Sequence, residues 1–319
     1  RRHGISFWHA YNCRDVHMNP QYWLTDSERD KPVAFDQWST EHEADVAIDF
    51  IRNADGRRRD PDKPFAVFLS ANPPHTPFQQ VPQRYVDQYG DATWRDLLTR
   101  PNVDPENLPD MAREHAKNYF AAVTGTDDQF GRIVRCLDAL GLRENTVVVF
   151  TADHGEMMGS HNRMHKGVWF EESYGIPLIV GWKGRLTARR DDLLINPADM
   201  MPTLLGLMGL GGTAPDDLEG IDYSRTIRTG RGRRPDSAYY IVTPGGNVMG
   251  GNRGIRTDRY TYVCKADHDE NRGIFLYDNR EDPYQLQNIA NDNRGKKLRN
   301  DLHPELQHWL KETNDPWEI

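Results

Sequence analysis

An adjacent carboxylate and imidazole form the clearest candidate for chemistry in this sequence. Asp153-His154-Gly155 lies in the segment that begins at Thr151 and directly follows the apolar run 147–150. Carboxylate oxygens and imidazole nitrogens both bind divalent metals. Neighbouring residues on a regular strand point to opposite faces, so both side chains reach one ion only if the chain turns, and Gly155 permits such a turn. A capped turn with a solvated histidine explains the same pattern.

A cationic cluster follows within the next twelve residues. Its members are His161, Arg163, His165 and Lys166. Positive charge beside a metal-binding carboxylate fits an anionic group such as sulfate or phosphate. A solvated polar loop is the alternative. Trp169 is a candidate wall for this pocket, with core packing as its alternative.

A proline-rich loop carries a further histidine. His75 lies in the segment 72–78, which follows the apolar run 65–69 and contains three prolines. Prolines restrict the backbone around the imidazole, and a rigid loop at the end of a strand suits general acid–base work or contact with an anion. A surface turn is equally compatible. Nearer the N-terminus, a polar and aromatic segment is a candidate for a sugar subsite, or for a plain surface loop. Its members are His9, Tyr11, Asn12, Arg14, His17 and Trp23.

The elements that must position these residues alternate along the chain. Apolar runs at 65–69, 147–150 and 176–180 predict buried strands, and helical periodicity at 112–140 and 198–208 predicts helices. After about residue 220, strands at 239–243, 254–264 and 273–277 precede a final helix. We therefore predict an α/β fold with a mainly parallel (mixed) sheet flanked by helices, plus a small C-terminal α+β subdomain with an antiparallel sheet. The predicted domains are residues 1–220 and 221–319.

Composition excludes several classes of protein. The 319 residues are 37% hydrophobic and 28% charged, enough apolar material for a sizeable core. A net charge of −8 does not fit a nucleic-acid-binding protein, and no apolar run approaches the length of a transmembrane segment. The oligomeric state cannot be inferred.

Taken together, the motifs resemble the sulfatase family of the alkaline-phosphatase-like superfamily. The segments that match the family's patterns, spread over almost the whole chain, are 4–8, 72–78, 153–161, 166–172, 199–205, 253–260 and 276–286. The resemblance implies that Asp153 and His154 are metal ligands, that Lys166 contacts the sulfate, and that His75 contacts it near the leaving oxygen. It implies calcium as the metal, although asparagine is the other common residue at the position of His154.

Sulfatases use a formylglycine nucleophile made from Cys or Ser in a Cys-x-Pro/Ala-x-Arg motif. None of Cys13, Cys136 and Cys264 begins such a motif, and Ser224 has Thr226 at its third position. The family's early Asp-Asp metal pair and its Gly-Lys-Trp-His-Leu-Gly segment are not found either. We expect these parts to precede Arg1 in a longer chain, and we expect the present polypeptide alone to be inactive. The resemblance also implies a periplasmic or secreted protein.

The sequence therefore predicts the larger part of a sulfuric ester hydrolase acting on a sulfated carbohydrate. A phosphonate monoester or phosphodiester hydrolase of the same superfamily is one alternative, since cation-lined sites also handle phosphoryl groups. A non-catalytic module that binds sulfated glycans is another.

Overall fold

The computed structural model describes residues 4–12, 14–28, 30–266, 273–317 and 319. Cys13 lies outside the described residues. The chain divides into two compact units: unit 1 comprises residues 1–99 and 105–145, and unit 2 comprises residues 100–104 and 146–319. The predicted division at residue 220 stays a prediction.

Unit 1 combines a small antiparallel sheet with helices. Its described strands and helices are β1 (His9–Ala10), β2 (Gln21–Leu24), β3 (Val33–Ala34), α1 (Ser39–Arg52), α2 (Gln83–Val86), α3 (Trp94–Leu97) and α4 (Asp110–Ala139). The strands pair in the order β1-β2-β3. The helix predicted at 112–140 is confirmed as α4, and it begins two residues earlier than predicted.

The core of unit 1 packs around a glycine in the middle of α4. Trp38, which precedes α1, and Tyr85 of α2 are both buried and pack against this helix. A Cβ atom at Gly125 would lie 2.8 Å from the Trp38 ring and 2.9 Å from the Tyr85 ring. Only glycine allows both aromatic rings to approach α4 this closely.

The buried strand predicted at 65–69 is not formed within the described residues. This segment has no regular secondary structure, and the Phe68 side chain is 95% exposed. An apolar run becomes a buried strand only when a neighbouring strand supplies its backbone hydrogen bonds. In the described part of the chain, no strand pairs with residues 65–69.

Unit 2 contains two sheets and several helices. Its described elements are β4 (Val148–Thr151), α5 (Glu171–Tyr174), β5 (Leu178–Gly181), α6 (Pro197–Leu207), α7 (Ser224–Thr229), β6 (Ser237–Val242), β7 (Gly251–Thr257), β8 (Tyr260–Ala266), β9 (Ile274–Asp278) and α8 (Asn293–Glu312). The strands predicted at 147–150 and 176–180 correspond to β4 and β5. These two strands pair antiparallel, with Val148 opposite Gly181. Every ladder among the described residues is antiparallel.

The C-terminal part of unit 2 is the predicted antiparallel sheet, in the order β6-β7-β8-β9. The predicted single strand 254–264 is wrong: it comprises most of β7 and β8, which are joined by a tight turn at Asp258 and Arg259. One face of this sheet packs against α8, where Tyr262 and Leu276 are buried with Leu306. Burial of these side chains fixes the sheet against the helix.

The longest helices carry charge along their length. α4 has 30 residues and α8 has 20, and both contain charged side chains throughout. No helix in the described residues combines the length and the apolar character needed to cross a bilayer.

Candidate active site

In unit 1, the loop 72–78 holds His75 in a tight turn. The backbone N–H of His75 donates to the carbonyl of Asn72 over 3.0 Å. Its ring Nδ1 lies 2.9 Å from the carbonyl oxygen of Thr76 and 3.9 Å from the Asp15 carboxylate. A carbonyl oxygen can only accept, so Nδ1 carries the proton in this contact and the lone pair of the neutral ring is on Nε2.

A buried histidine supports this loop from the side of the core. His17 is 1% exposed, and its Nε2 lies 2.9 Å from the carbonyl oxygen of His75 and 3.1 Å from that of Thr76. Both contacts require Nε2–H to donate. The Gln80 side chain accepts the backbone N–H of His17 over 2.7 Å. Burial lowers the pKa of His17, so the ring remains neutral near pH 7.

Three of the candidates for a sugar subsite have different surroundings from one another. His9 is half-buried, and its Nε2 lies 2.9 Å from His42 Nε2. Burial, with a smaller contribution from His42, lowers the pKa of His9 to about 4. Arg14 is exposed and lies 5.0 Å from the centroid of the Trp23 ring, and Asn12 is exposed with a left-handed backbone (φ 55°). His9 therefore belongs to an aromatic cluster, whereas Arg14 and Asn12 are surface residues.

In unit 2, the predicted pair of Asp153 and His154 begins two residues after the end of β4. The Thr151 hydroxyl donates to the carbonyl of Pro177 over 2.8 Å, which ties the end of β4 to the segment before β5. Asp153 Oδ1 accepts the backbone N–H of His154 over 3.0 Å, and the Asp153 side chain is 88% exposed. Asp153 Oδ2 lies 3.6 Å from His154 Nε2. The turn thus brings a carboxylate oxygen and an imidazole nitrogen to within 3.6 Å of each other.

Gly155 is required here for a close approach of two backbone segments. A Cβ atom at this position would lie 2.0 Å from the carbonyl oxygen of Glu172. The backbone N–H of Gly155 donates to the carbonyl of Ser173 over 2.9 Å. The glycine therefore fixes the turn after His154 against α5, which contains both Glu172 and Ser173.

A buried carboxylate organises the loop between Gly155 and Lys166. Glu156 Oε1 accepts the backbone N–H groups of Met158 and His165. His165 has a left-handed backbone (φ 65°), and its Nδ1 lies 3.9 Å from Glu156 Oε2. Such a backbone is uncommon for a residue with a side chain. The carboxylate of Glu156 thus fixes the loop up to His165, and the next residue, Lys166, is exposed.

Two members of the predicted cationic and aromatic set take part in packing. The His161 ring stacks on Phe170 with centroids 3.7 Å apart, and burial lowers its pKa. Trp169 is 8% exposed, and its ring lies 4.3 Å from that of Phe275. For Trp169 the structure favours the packing alternative, because the indole is covered by the C-terminal sheet and presents little surface to a ligand.

Sequence reasoning missed the residues that hold α5. Glu172 accepts hydrogen bonds from Arg100 (2.9 Å) and Asn102 (2.7 Å). Glu171 accepts from Arg256 Nε over 2.7 Å. These partners lie roughly 70 and 85 residues away in the sequence, so no local pattern indicates them. They place α5, and through it the turn at residues 153–155.

The donor atoms of Asp153 and His154 are oriented so that both can bind one metal ion. His154 Nδ1 lies 2.8 Å from the carbonyl oxygen of Gly155, so Nδ1–H donates and the lone pair is on Nε2. Metal-binding imidazoles commonly donate their other N–H to a carbonyl in this way. The 3.6 Å between Nε2 and Oδ2 suits two ligands of one ion at bond lengths of about 2.1 and 2.4 Å. Within the described residues, no group of three or more such side chains is placed to hold an ion.

The chain as a whole is similar to known sulfatases. The family model described as Sulfatase matches residues 6–210, and that described as N-sulphoglucosamine sulphohydrolase, C-terminal, matches residues 159–312. An endo-4-O-sulfatase of Bacteroides thetaiotaomicron is 37% identical over 99% of this chain, and an ulvan-active sulfatase of Formosa agariphila is 32% identical over 99%. The chain spans 64% and 60% of the lengths of these two relatives.

A solved structure shows the same fold. The Bacteroides fragilis protein YidJ superposes with a TM-score of 0.90 at 37% identity, covering 99% of this chain and 67% of that one. Fold and sequence together define an α/β protein of the alkaline-phosphatase-like superfamily, which confirms the predicted class. Within that superfamily, the chain belongs to the sulfatase family.

Proposed function

We propose that the protein containing this chain hydrolyses sulfate esters of a carbohydrate. The observation that carries the proposal is the Asp153–His154 pair, with Oδ2 and Nε2 3.6 Å apart. It occurs in a chain that is 37% identical to an endo-4-O-sulfatase. Both of the relatives named above are sulfatases, and ulvan is the substrate named for the second. Sulfated glycans are therefore the substrate class we expect.

Asp153 and His154 would hold a divalent cation, with calcium as the family's usual metal. When bound, this ion supplies positive charge that polarises the sulfate. Lys166 is exposed, and its ammonium group would neutralise negative charge that the metal ion leaves on the sulfate. In its imidazolium form, His75 would provide from Nε2 the proton that the leaving alcohol oxygen needs as its bond to sulfur breaks. The carbonyl contact of Nδ1 leaves Nε2 as the atom that exchanges this proton.

The nucleophile must come from outside these 319 residues under this proposal. We propose that a formylglycine and a further pair of metal-binding aspartates are contributed by sequence preceding Arg1. Two donors are far short of the roughly six to eight ligands that calcium prefers. The 319-residue polypeptide alone is therefore expected to bind calcium weakly and to show no turnover. We also propose that the protein containing this chain is exported to the periplasm or the medium, as the resemblance implies.

The test is a parallel assay of the whole protein and the 319-residue polypeptide, each with calcium. The substrates are a 4-nitrophenyl sulfate and a 4-nitrophenyl phosphonate monoester. We expect the whole protein to hydrolyse the sulfate in preference and the polypeptide to hydrolyse neither. Preference for the phosphonate would favour a phosphonate monoester or phosphodiester hydrolase of the same superfamily. Binding of sulfated glycans by the whole protein without turnover of any ester would favour a binding module.

The roles of the side chains are tested by variants of the whole protein. Lys166→Ala is expected to lower kcat/KM about 100-fold, because one charge partner of the sulfate is lost. His75→Gln is expected to lower the rate on an alkyl sulfate more than on a nitrophenyl sulfate, because nitrophenolate leaves without a proton. Lys297→Ala and His308→Ala are matched controls, since both residues are exposed on α8. Equal losses on the two substrates would contradict the role of His75.

A further inference from the structure

Unit 2 carries an unusual concentration of arginine. Segments 185–192 and 225–236 contain eight arginines and three aspartates, a net charge of +5 in a chain whose net charge is −8. All eight arginines are exposed. We call these two segments the arginine surface; its arginines are Arg185, Arg189, Arg190, Arg225, Arg228, Arg231, Arg233 and Arg234.

Two of the arginines hold the two segments together. Arg189 Nη2 donates to the carbonyls of Thr226 (2.8 Å) and Ile227 (2.6 Å) near the end of α7. Arg234 donates to Asp191 and Asp192, each over 2.8 Å. These bonds link residues about 40 positions apart in the sequence. The arginine surface is therefore one continuous region of unit 2.

The loop after α7 is tightly built. The hydroxyl of Thr226 donates to the carbonyl of Arg233 over 3.0 Å, and the hydroxyl of Thr229 accepts the backbone N–H of Arg231 over 3.1 Å. Gly232 has a φ of 156°, and a Cβ atom there would lie 2.4 Å from the Thr226 hydroxyl. Side-chain hydrogen bonds and a required glycine thus hold the backbone that bears Arg231 and Arg233.

Several of these guanidinium groups have no carboxylate partner in the described part of the chain. Arg190, Arg225, Arg228 and Arg231 form no ion pair with any described residue. Like charges held close together repel one another, which costs stability. Such an arrangement suits a polyanion, and the planar guanidinium matches the oxygens of a sulfate group with two parallel hydrogen bonds.

We propose that the arginine surface, none of whose residues is among those proposed for hydrolysis, binds the sulfate groups of a polysaccharide chain. This inference rests on the proposed function, because that function supplies a polymer with regularly spaced sulfates. A nucleic acid is the rival polyanion. The net charge of −8 does not discriminate between these two polyanions. The sulfated glycan is favoured because it is the substrate class of the proposed function.

The test compares two triple variants of the whole protein that lose the same charge. The first is R190Q/R228Q/R231Q; the control is K296Q/K297Q/K311Q, whose residues are exposed on α8. Calorimetry measures binding to size-defined chondroitin sulfate, to the desulfated polymer and to duplex DNA between 50 and 200 mM NaCl. We expect the arginine variant to bind chondroitin sulfate at least about tenfold more weakly, with a smaller dependence of log K on log [NaCl]. The control should stay within about twofold.

Kinetics separate this inference from the proposed function. The arginine variant should show a raised KM for the polysaccharide and an unchanged kcat/KM for a monosulfated disaccharide. Affinity within about twofold of the parent would overturn the inference, as would tighter binding of the desulfated polymer or of DNA. Unaltered circular dichroism checks that the variant is folded. If the parent hydrolyses no sulfate ester, the proposed function fails, and calorimetry with the intact polymer still decides whether the arginine surface binds it.

Discussion

Replacing Gly155 with alanine is expected to displace the Asp153–His154 pair. The new Cβ atom would lie 2.0 Å from the carbonyl oxygen of Glu172 and 2.9 Å from its carbonyl carbon. Both are backbone atoms, so no side-chain rotation relieves the contact. Glu172 is itself fixed by the hydrogen bond from Asn102. The turn that carries Asp153 and His154 must therefore move away.

The size of the effect follows from the overlap. Contacts of this kind need about 3.4 Å or more, so the 2.0 Å contact requires the turn to shift by roughly 1.4 Å. Overpacking of this kind costs about 1–3 kcal/mol of stability, and a 1 Å misplacement of a catalytic group costs about 100-fold in rate. Gly212→Ala is the control, because its Cβ atom would have no neighbour within 4 Å.

The assays for Gly155→Ala are thermal unfolding, calcium affinity by calorimetry and kcat/KM on a sulfate ester, all on the whole protein. We expect a lower Tm, weaker calcium binding and about 100-fold lower activity, with Gly212→Ala close to the parent. A Gly155→Ala variant with calcium affinity and rate within about twofold of the parent would refute the reasoning.

Three other predictions concern buried polar groups. His17→Phe removes the donor to the carbonyl of His75 and should lower kcat on alkyl sulfates. His17→Gln keeps an N–H donor and should therefore restore part of the rate. Equal rates for the two variants would contradict this role of His17. Burial raises the pKa of Glu43 to about 8, so the folded state keeps a proton that the unfolded state loses above about pH 4.5. Stability should therefore fall as pH rises between these values, by at most about 1.4 kcal/mol per pH unit, and denaturant unfolding of Glu43→Gln should show a smaller fall. Asp315→Asn removes the carboxylate charge that lies 2.5 Å from the Arg253 guanidinium, whose side chain is 0% exposed. The loss should cost about 3–5 kcal/mol in the same assay, more than the double variant R253M/D315L.

The end of the strand before Asp153 could be predicted from the sequence, whereas the metal-binding role of Asp153 and His154 stays a prediction. Asp153, His154 and Gly155 follow a short apolar run, and such a run before a polar turn indicates the end of a strand. The antiparallel C-terminal sheet was predicted from successive strands without an intervening helix, and it is confirmed. Both predictions depend on neighbours within a few residues.

The supporting interactions could not be predicted, because they join distant parts of the chain. His17 contacts the carbonyl of His75 across 58 positions, and Arg256 contacts Glu171 across 85. The burial of Trp169 could not be predicted either, because it depends on packing against the distant residue Phe275. The strand predicted at 65–69 was wrong for a related reason. A strand needs a neighbouring strand as its partner, and the pattern of apolar residues does not reveal whether one is present.

Release of inorganic sulfate from a sulfated oligosaccharide tests the central claim most directly. The comparison is between the whole protein and its Asp153→Asn variant, with Asp216→Asn, an exposed site in the same unit, as the matched control. We predict that the parent and the control release sulfate, and that Asp153→Asn releases at least about 100-fold less under the same calcium concentration. Equal release by parent and Asp153→Asn, or no release by the parent, would contradict the account.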